Sequence, residues 1–442
     1  MTSLERLAAL LPDWSWPVLD AGSAADKEGV ADKEGAAPDL SPVRLVGPFS
    51  TELDRLDPAG FDGPLRGLRL GVKENIALAG LPPRAGVPAR DALPPAAADA
   101  PAVARLLAAG AHLVGACRMH ELAFGVTGVN RSDGTPAHPL DPERIPGGSS
   151  SGSAVAVGLG LADIALATDS GGSARIPAAL VGVVGYKASR ALPVEGVVPL
   201  APSLDHLGAF ASDVATVARV AAALGLLDVS ALAPARAGGL AGARLGVLAA
   251  ARARCAPAVD AAVQAALDAL DRAGAELVEI TWPYLDLVVA VTSTIMFAEA
   301  AVSLGPGASA GASAGAAAGA PAGPDVADRL RLGASVAPDT LAAARSLGEI
   351  LTGRWAELTA GLDTVLAPTT TITAPRFDEV DALGVAPALM RVTRLDNLTG
   401  RPAISLPIPV GDGLPVGLHV SGTTDAGLLR VAARVEAALR VP

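Results

Sequence analysis

Two Gly-Gly-Ser elements, Gly147-Gly148-Ser149 and Gly171-Gly172-Ser173, fall within one block running from Pro146 to Tyr186. A serine hydroxyl becomes a nucleophile when a base removes its proton, and the oxyanion it raises on a carbonyl needs converging N–H donors. A Gly-Gly pair ahead of a serine permits that convergence, because successive backbone N–H groups can turn toward one point. The second element suits this chemistry best. Thr168, Asp169, Ser170, Gly171, Gly172 and Ser173 follow directly on the apolar run Ile164 to Thr168, which reads as a strand, and precede a helix opened by Ile176 and Pro177. The first element reads as a loop from Gly147 to Ser153, followed by a helix through the Ala/Val run. Other chemistries fit less well. Gly148-Ser149-Ser150-Ser151-Gly152 matches the nucleophile-elbow pattern, but that turn needs a strand before it, and here Asp141, Pro142, Pro146 and two glycines precede the serine. It also needs a histidine base. Of His112, His120, His138, His206 and His419 only the last two lie downstream, and His206 reads as structural or as a group that supports the site from behind. No strand is followed by the full glycine spacing of a dinucleotide site.

The elements that must hold these loops alternate. Leu68 to Val72, Ile164 to Ala167 and Leu245 to Leu248 read as strands. Pro101 to Gly110, Ala258 to Ala273 and Ala426 to Leu439 have apolar residues at helical spacing, and Gly110 and Gly274 stop the first two. Such alternation predicts an α/β fold with a central mixed β-sheet covered on both faces by helices. Leu4 to Leu11 predicts a short helix, and the DKEG repeats at Asp26 and Asp32 predict a mobile linker over 21–40. A Gly/Ala/Ser/Pro stretch, about 305–324, predicts a mobile surface insertion. The chain of 442 residues is 51% hydrophobic and can bury a large core, filled mainly by aliphatic side chains since aromatics are 3%. Its net charge of −11 gives no support to nucleic-acid or membrane-surface binding and favours a small neutral or organic substrate. Cys117 and Cys255 lack metal spacing and read as buried free thiols. Glu5, Asp13 and Asp20 interrupt the first residues, so no signal peptide is expected and the cytoplasm is the default location. Ala154 to Thr168, read as the most apolar stretch, is too short to span a bilayer and contains Asp163, so no transmembrane helix is expected.

From about Leu65 to Leu439 the chain resembles the amidase signature family. The resemblance rests on GVKENI around Lys73, a GGSS loop at Gly147, TDSGGSARIPA from Thr168, GVVPLAPSLDHLG from Gly196, VLAPTT from Val365 and NLTGRPAISLPI from Asn397. Ser149 precedes Ser173 by 24 positions, as in the family's pattern. The resemblance implies the amidase signature fold over 61–442, behind an N-terminal helix and linker over 1–60. It implies Ser173 as nucleophile, Ser149 as proton relay after a cis peptide with Gly148, and Lys73 as general base. Such a lysine must be held neutral by burial. Backbone N–H groups of Ser170, Gly171, Gly172 and also Ser173 are implied to bind the oxyanion, with Thr168, Asp169 and Arg175 in support. The implied reaction converts a small-molecule carboxamide to a carboxylate and ammonia or an amine through an acyl-enzyme, with no cofactor and no metal. A homodimer is left open.

The same resemblance leaves other activities open. One is the A subunit of a glutamine-dependent tRNA amidotransferase, but its NLARFDG(V/I)RYG segment is replaced here by TSTIMFAEAAVSLGPG from Thr292, and Met390 stands where an acid is implied. A ureide hydrolase or an esterase is another. Departures from the pattern bear on substrate: Glu74 replaces an aspartate, Arg84 replaces a small hydroxyl residue and is expected to narrow the acyl pocket, and Val181 and Tyr186 read as packing changes. The pocket itself is expected from Met119 to Asn130, from the stretch after Val291, and from Thr370 to Met390.

Overall fold

The computed structural model describes residues 8–11, 43–56, 63–228, 239–305, 322–382, 384–408 and 413–440. The expected mobility of 21–40 and of most of 305–324, and all but the end of the Leu4 to Leu11 helix, lie outside the described residues. In chain order the strands are β1 Leu45–Val46, β2 Phe49–Leu56, β3 Arg69–Lys73, β4 His112–Cys117, β5 Thr135–Pro136, β6 Ile164–Asp169, β7 Val184–Lys187, β8 His206–Ala211, β9 Arg244–Leu248, β10 Glu276–Ile280, β11 Thr364–Pro368, β12 Ala403–Ile408 and β13 Val416–Ser421. β1 and β5 pair with each other, and the rest form one mixed sheet in the order β10-β9-β11-β13-β12-β7-β8-β6-β3-β4-β2. β3 is parallel to both β4 and β6, whereas β6 to β8 and the run through β7, β12 and β13 are antiparallel. β2 pairs antiparallel with β4 at the edge, so the sheet draws on residues before 61.

β6 is buried at every position, as a strand covered on both faces must be. Its alternate side chains serve different cores. Leu166 joins a cluster with the helices Pro101–Ala108, Val214–Ala223, Pro257–Arg272 and Asp425–Leu439, while Ala165 and Ala167 pack with Ser151–Gly158 and Arg175–Val181. β11 divides likewise: Leu366 faces the first cluster, and Val365 and Ala367 face a second built on the helices Leu285–Leu304 and Pro338–Leu358. The α/β layering expected from the alternating periods is therefore the observed one.

Boundaries moved where packing decides them. The Ser151–Gly158 helix begins inside the stretch read as a loop, and its Gly152 packs against the Arg118 and Pro48 backbone, where a Cβ would stand 2.4 Å from the Pro48 carbonyl oxygen. Leu285–Leu304, and not Ala154 to Thr168, is the long apolar helix. Among the described residues it alone has the length and composition to cross a membrane, yet most of it is buried inside the protein, as befits a core helix.

Candidate active site

β3 and β6 are parallel neighbours, so their carboxyl ends emerge on the same edge of the sheet, the edge where open α/β sheets place their sites. Lys73 is the last residue of β3 and Asp169 the last of β6. Lys73 is fully buried, and its Nζ donates to Ser149 Oγ at 2.8 Å and to Thr168 Oγ1 at 2.7 Å. Asn75 Nδ2 also reaches Thr168 Oγ1, at 3.2 Å. Burial lowers the Lys73 pKa to about 7, against the opposing pull of Asp169, Asp205 and Glu74.

The peptide between Gly148 and Ser149 is cis, as the family resemblance implies. The loop around it is pinned on both sides: Gly148 N–H donates to Val126 O, Ser149 O accepts from His120 N–H, and Ser150 Oγ donates to Thr168 O. No hydrogen bond joins Ser149 Oγ to Ser173 Oγ in this structure. Links of that kind commonly tighten only when substrate is bound. Ser173 instead lines a pocket of about 820 Å³, counting its mouth, with Ser170 and Gly171 beside it.

Asp169 organises the second loop. Its carboxylate accepts from the N–H groups of Gly172 at 2.8 Å and Ala174 at 3.1 Å, from Arg175 Nε and Nη2 at 3.0 and 2.9 Å, and from Asn397 Nδ2 at 2.9 Å. Burial would raise this carboxyl, but the Arg175 guanidinium overrides it and holds Asp169 well below the usual carboxylate range. Arg175 is itself shared with Thr393 O at 2.8 Å and Asp396 Oδ2 at 3.1 Å. One expected donor changes role here. The Gly172 N–H is engaged by Asp169 and is not free to meet an oxyanion, whereas the N–H groups of Ser170, Gly171 and Ser173 make none of the loop's own hydrogen bonds. Gly172 has φ +127°, and a Cβ there would stand 2.4 Å from Thr393 Oγ1, so glycine is required for the turn itself.

Several residues of the site lay beyond sequence reasoning about single positions. Asp205 accepts from Ser170 Oγ and from the Leu200 and Ala201 N–H groups, bracing the turn from the residue just before β8. Its segment, PSLDHLG, was visible, but its role was not. Thr393 Oγ1 donates to Gly171 O at 2.7 Å. Arg84 does not enter the pocket at Ser173. It turns to Glu74, Asp91 and Asp133, because those three carboxylates surround its guanidinium. The pocket is walled by Ala123 to Val126, by Ser293, Met296 and Phe297, and by Ala386 and Met390, one group from each expected region, together with Leu200, Arg329 and Arg394, which were not foreseen. No histidine ring among the described residues is hydrogen-bonded to Lys73, Ser149 or Ser173: His206 contacts Leu204 O, His419 contacts Asp396, and the ring of His120, whose backbone N–H holds Ser149 O, lies beside Gly125 and 3.9 Å from Asp325. Among the described residues no group of three or more His, Cys, Asp or Glu side chains is placed to hold a metal ion.

The fold agrees with those of known amidases. A solved structure of an amidase is 33% identical, with a TM-score of 0.74 over 85% of this chain and 86% of that one. The glutamyl-tRNA(Gln) amidotransferase A subunit of Thermotoga maritima is 26% identical, with a TM-score of 0.72 over 87% and 86% of the two chains. In sequence, the 2-amino-5-chloromuconic acid deaminase of Comamonas testosteroni is 34% identical over 396 residues, which is 87% of this chain and 84% of that protein. These similarities define a hydrolase acting on C–N bonds. The family model described as Amidase matches residues 51–426, and the chain belongs to that family, the amidase signature enzymes.

Proposed function

We propose that the protein is a serine amidase of small carboxamides, with Ser173 as nucleophile, Ser149 as relay and Lys73 as base. The observation that carries this reading is the buried hydrogen bond from Lys73 Nζ to Ser149 Oγ beside the pocket that Ser173 lines. With a pKa of about 7, Lys73 is neutral in a large share of molecules near neutral pH and can accept a proton. Ser173 Oγ forms a bond to the amide carbonyl carbon while its proton passes through Ser149 to Lys73. The oxyanion takes the N–H groups of Ser170 and Gly171, with Ser173 beside them. Collapse breaks the C–N bond, and the proton returns from Lys73 to the leaving nitrogen. Water then attacks the acyl-enzyme, gives up its proton by the same route, and releases the carboxylate and Ser173.

Ammonia release from aliphatic, aromatic and peptide amides, with ureides and esters alongside, tests the reading. Turnover with a transient acyl adduct on Ser173, seen by mass spectrometry, supports it. Exclusive turnover of ureides or of esters refutes the carboxamide assignment. The amidotransferase reading is disfavoured by Met390, which forms a pocket wall where an acid is implied for that class.

A further inference from the structure

The pocket at Ser173 contains a buried cation without an anion. Among the described residues, its ionisable lining side chains are Arg329 and Arg394. Arg329 is answered, by Asp325 at 3.4 Å and by the Phe124 carbonyl. Arg394 is not. It is 5% exposed, its Nε and Nη2 lie 3.2 and 3.1 Å from Met390 Sδ, and its Nη1 lies 3.3 Å from Thr292 Oγ1. A thioether is a weak acceptor, and the Thr292 hydroxyl, which accepts from Nη1 while donating to the Val288 carbonyl at 2.7 Å, is neutral and supplies no compensating charge. No carboxylate pairs with Arg394 among the described residues. Burial lowers its pKa to about 10, which leaves it charged at neutral pH.

A buried guanidinium without a counter-ion is costly, and its planar fork matches a carboxylate. Side chains of this kind are retained where a ligand completes them. The location is also informative: a Cβ on Gly171 would stand 3.5 Å from Arg394 Nε, so the guanidinium borders the turn whose N–H groups face the reacting carbonyl. We infer that Arg394 binds a carboxylate on the substrate, so that the amide cleaved is a carboxylate-bearing one such as the monoamide of a short dicarboxylic acid. This rests on the amidase reading above. The proximity of Arg394 to Gly171 confines the carboxylate to within a few bonds of the scissile carbonyl. It also revises the neutral substrate favoured by the net charge, because the pocket carries the sign opposite to the chain as a whole.

The competing role for Arg394 is general electrostatic support of the oxyanion, which would act on every amide alike. A paired comparison of succinamate with butyramide, and of glutaramate with valeramide, separates the two, since each pair differs in the carboxylate at nearly constant length. The expected result is that the wild type prefers the carboxylated member, and that Arg394→Met lowers the ratio of the two kcat/KM values roughly 10- to 100-fold, the worth of a charged hydrogen-bond pair. Arg394→Lys, which keeps the charge and loses the fork, lowers it less and serves alone if Arg394→Met fails to fold. A ratio unchanged by either variant, or a wild-type preference for the neutral amides, overturns the assignment. If the wild type turns over none of these four amides, the wider amide panel decides the amidase reading separately, and titration calorimetry decides the subsite. Succinamate bound by Ser173→Ala and weakened on adding Arg394→Lys supports it, and no binding to Ser173→Ala, or binding that Arg394→Lys leaves unchanged, overturns it.

Discussion

Lys73 and Lys187 are both fully buried, and in both burial is the largest influence, lowering the pKa to about 7. What separates them is the partner. Lys187 Nζ donates to the carbonyl of Ala188 at 3.0 Å, whereas Lys73 reaches the hydroxyls of Ser149 and Thr168. Only a hydroxyl partner can pass on a proton, so Lys73 is the one of the two suited to act as base. The consequence for pH is definite. Below about 7 Lys73 is protonated and cannot accept, so kcat/KM should rise with pH through about 7 and level off above it, as a pH–rate profile at sub-saturating substrate will show. Glu74 raises the Lys73 pKa only when ionised, and burial lifts its own pKa to about 7, so Glu74→Gln should move that limb to lower pH by a modest amount. A limb that follows a histidine substitution instead would reject Lys73. Ser173→Ala should lower kcat by roughly a thousandfold or more while the melting temperature holds, and more than a tenth of wild-type activity would rule Ser173 out. Lys73→Ala and Ser149→Ala should add little to Ser173→Ala, because groups acting as one unit are not additive.

At the scale of elements, the parallel pairing of β3 with β6 brings Lys73 beside the Asp169 turn, and the helix Arg394–Thr399 closes that turn from the far end of the chain. Asp169 and Arg175 form a pair buried from solvent on both sides. Asp169→Asn should therefore destabilise the protein, by less than the ~3–5 kcal/mol of leaving a buried charge wholly unpaired, because it removes one of the two carboxylates on Arg175 and leaves Asp396 at 3.1 Å, and activity should fall with it. Chemical denaturation together with initial rates reads both effects, and unaltered stability would show that the network around Arg175 repairs itself. This network also marks how far the sequence could be read. β6 was legible because a strand buried on both faces is a continuous apolar run, and the spacing of Ser149 to Ser173 was legible because both loops lie in one block. Asn397 could be placed in a family segment, yet its contact with Asp169 spans a separation that no local period encodes. Arg84 was misread for a related reason. An arginine's direction is set by the acids that happen to surround it, and Asp133 and Asp91 come to it only through the fold. Arg394 had no signal beyond its charge, since what distinguishes it is that no carboxylate among the described residues pairs with it in space.

Across the whole molecule the sheet separates two cores with different duties. One face carries Leu270 of the helix Pro257–Arg272, and the other carries Leu347 of the helix Pro338–Leu358; both side chains are buried without exposure. Leu347 shares its core with Val291, Ile295 and Met296 of Leu285–Leu304, the helix that also presents Ser293 and Phe297 to the pocket. Leu270 belongs to the cluster that contributes no side chain to the pocket at Ser173. Truncating either leucine to alanine leaves a cavity and should cost about 2–5 kcal/mol, lowering the unfolding temperature in both variants. Function should separate them. Leu347→Ala loosens the support behind the pocket wall, so its KM should rise and its kcat/KM should fall severalfold, because a site held less firmly positions its substrate less well. Leu270→Ala should keep kcat/KM near the wild-type value at temperatures where it remains folded. Steady-state kinetics beside thermal unfolding provides the comparison: equal losses of kcat/KM at equal loss of stability would mean that the two cores act as one mechanical unit and that the pocket wall has no private support.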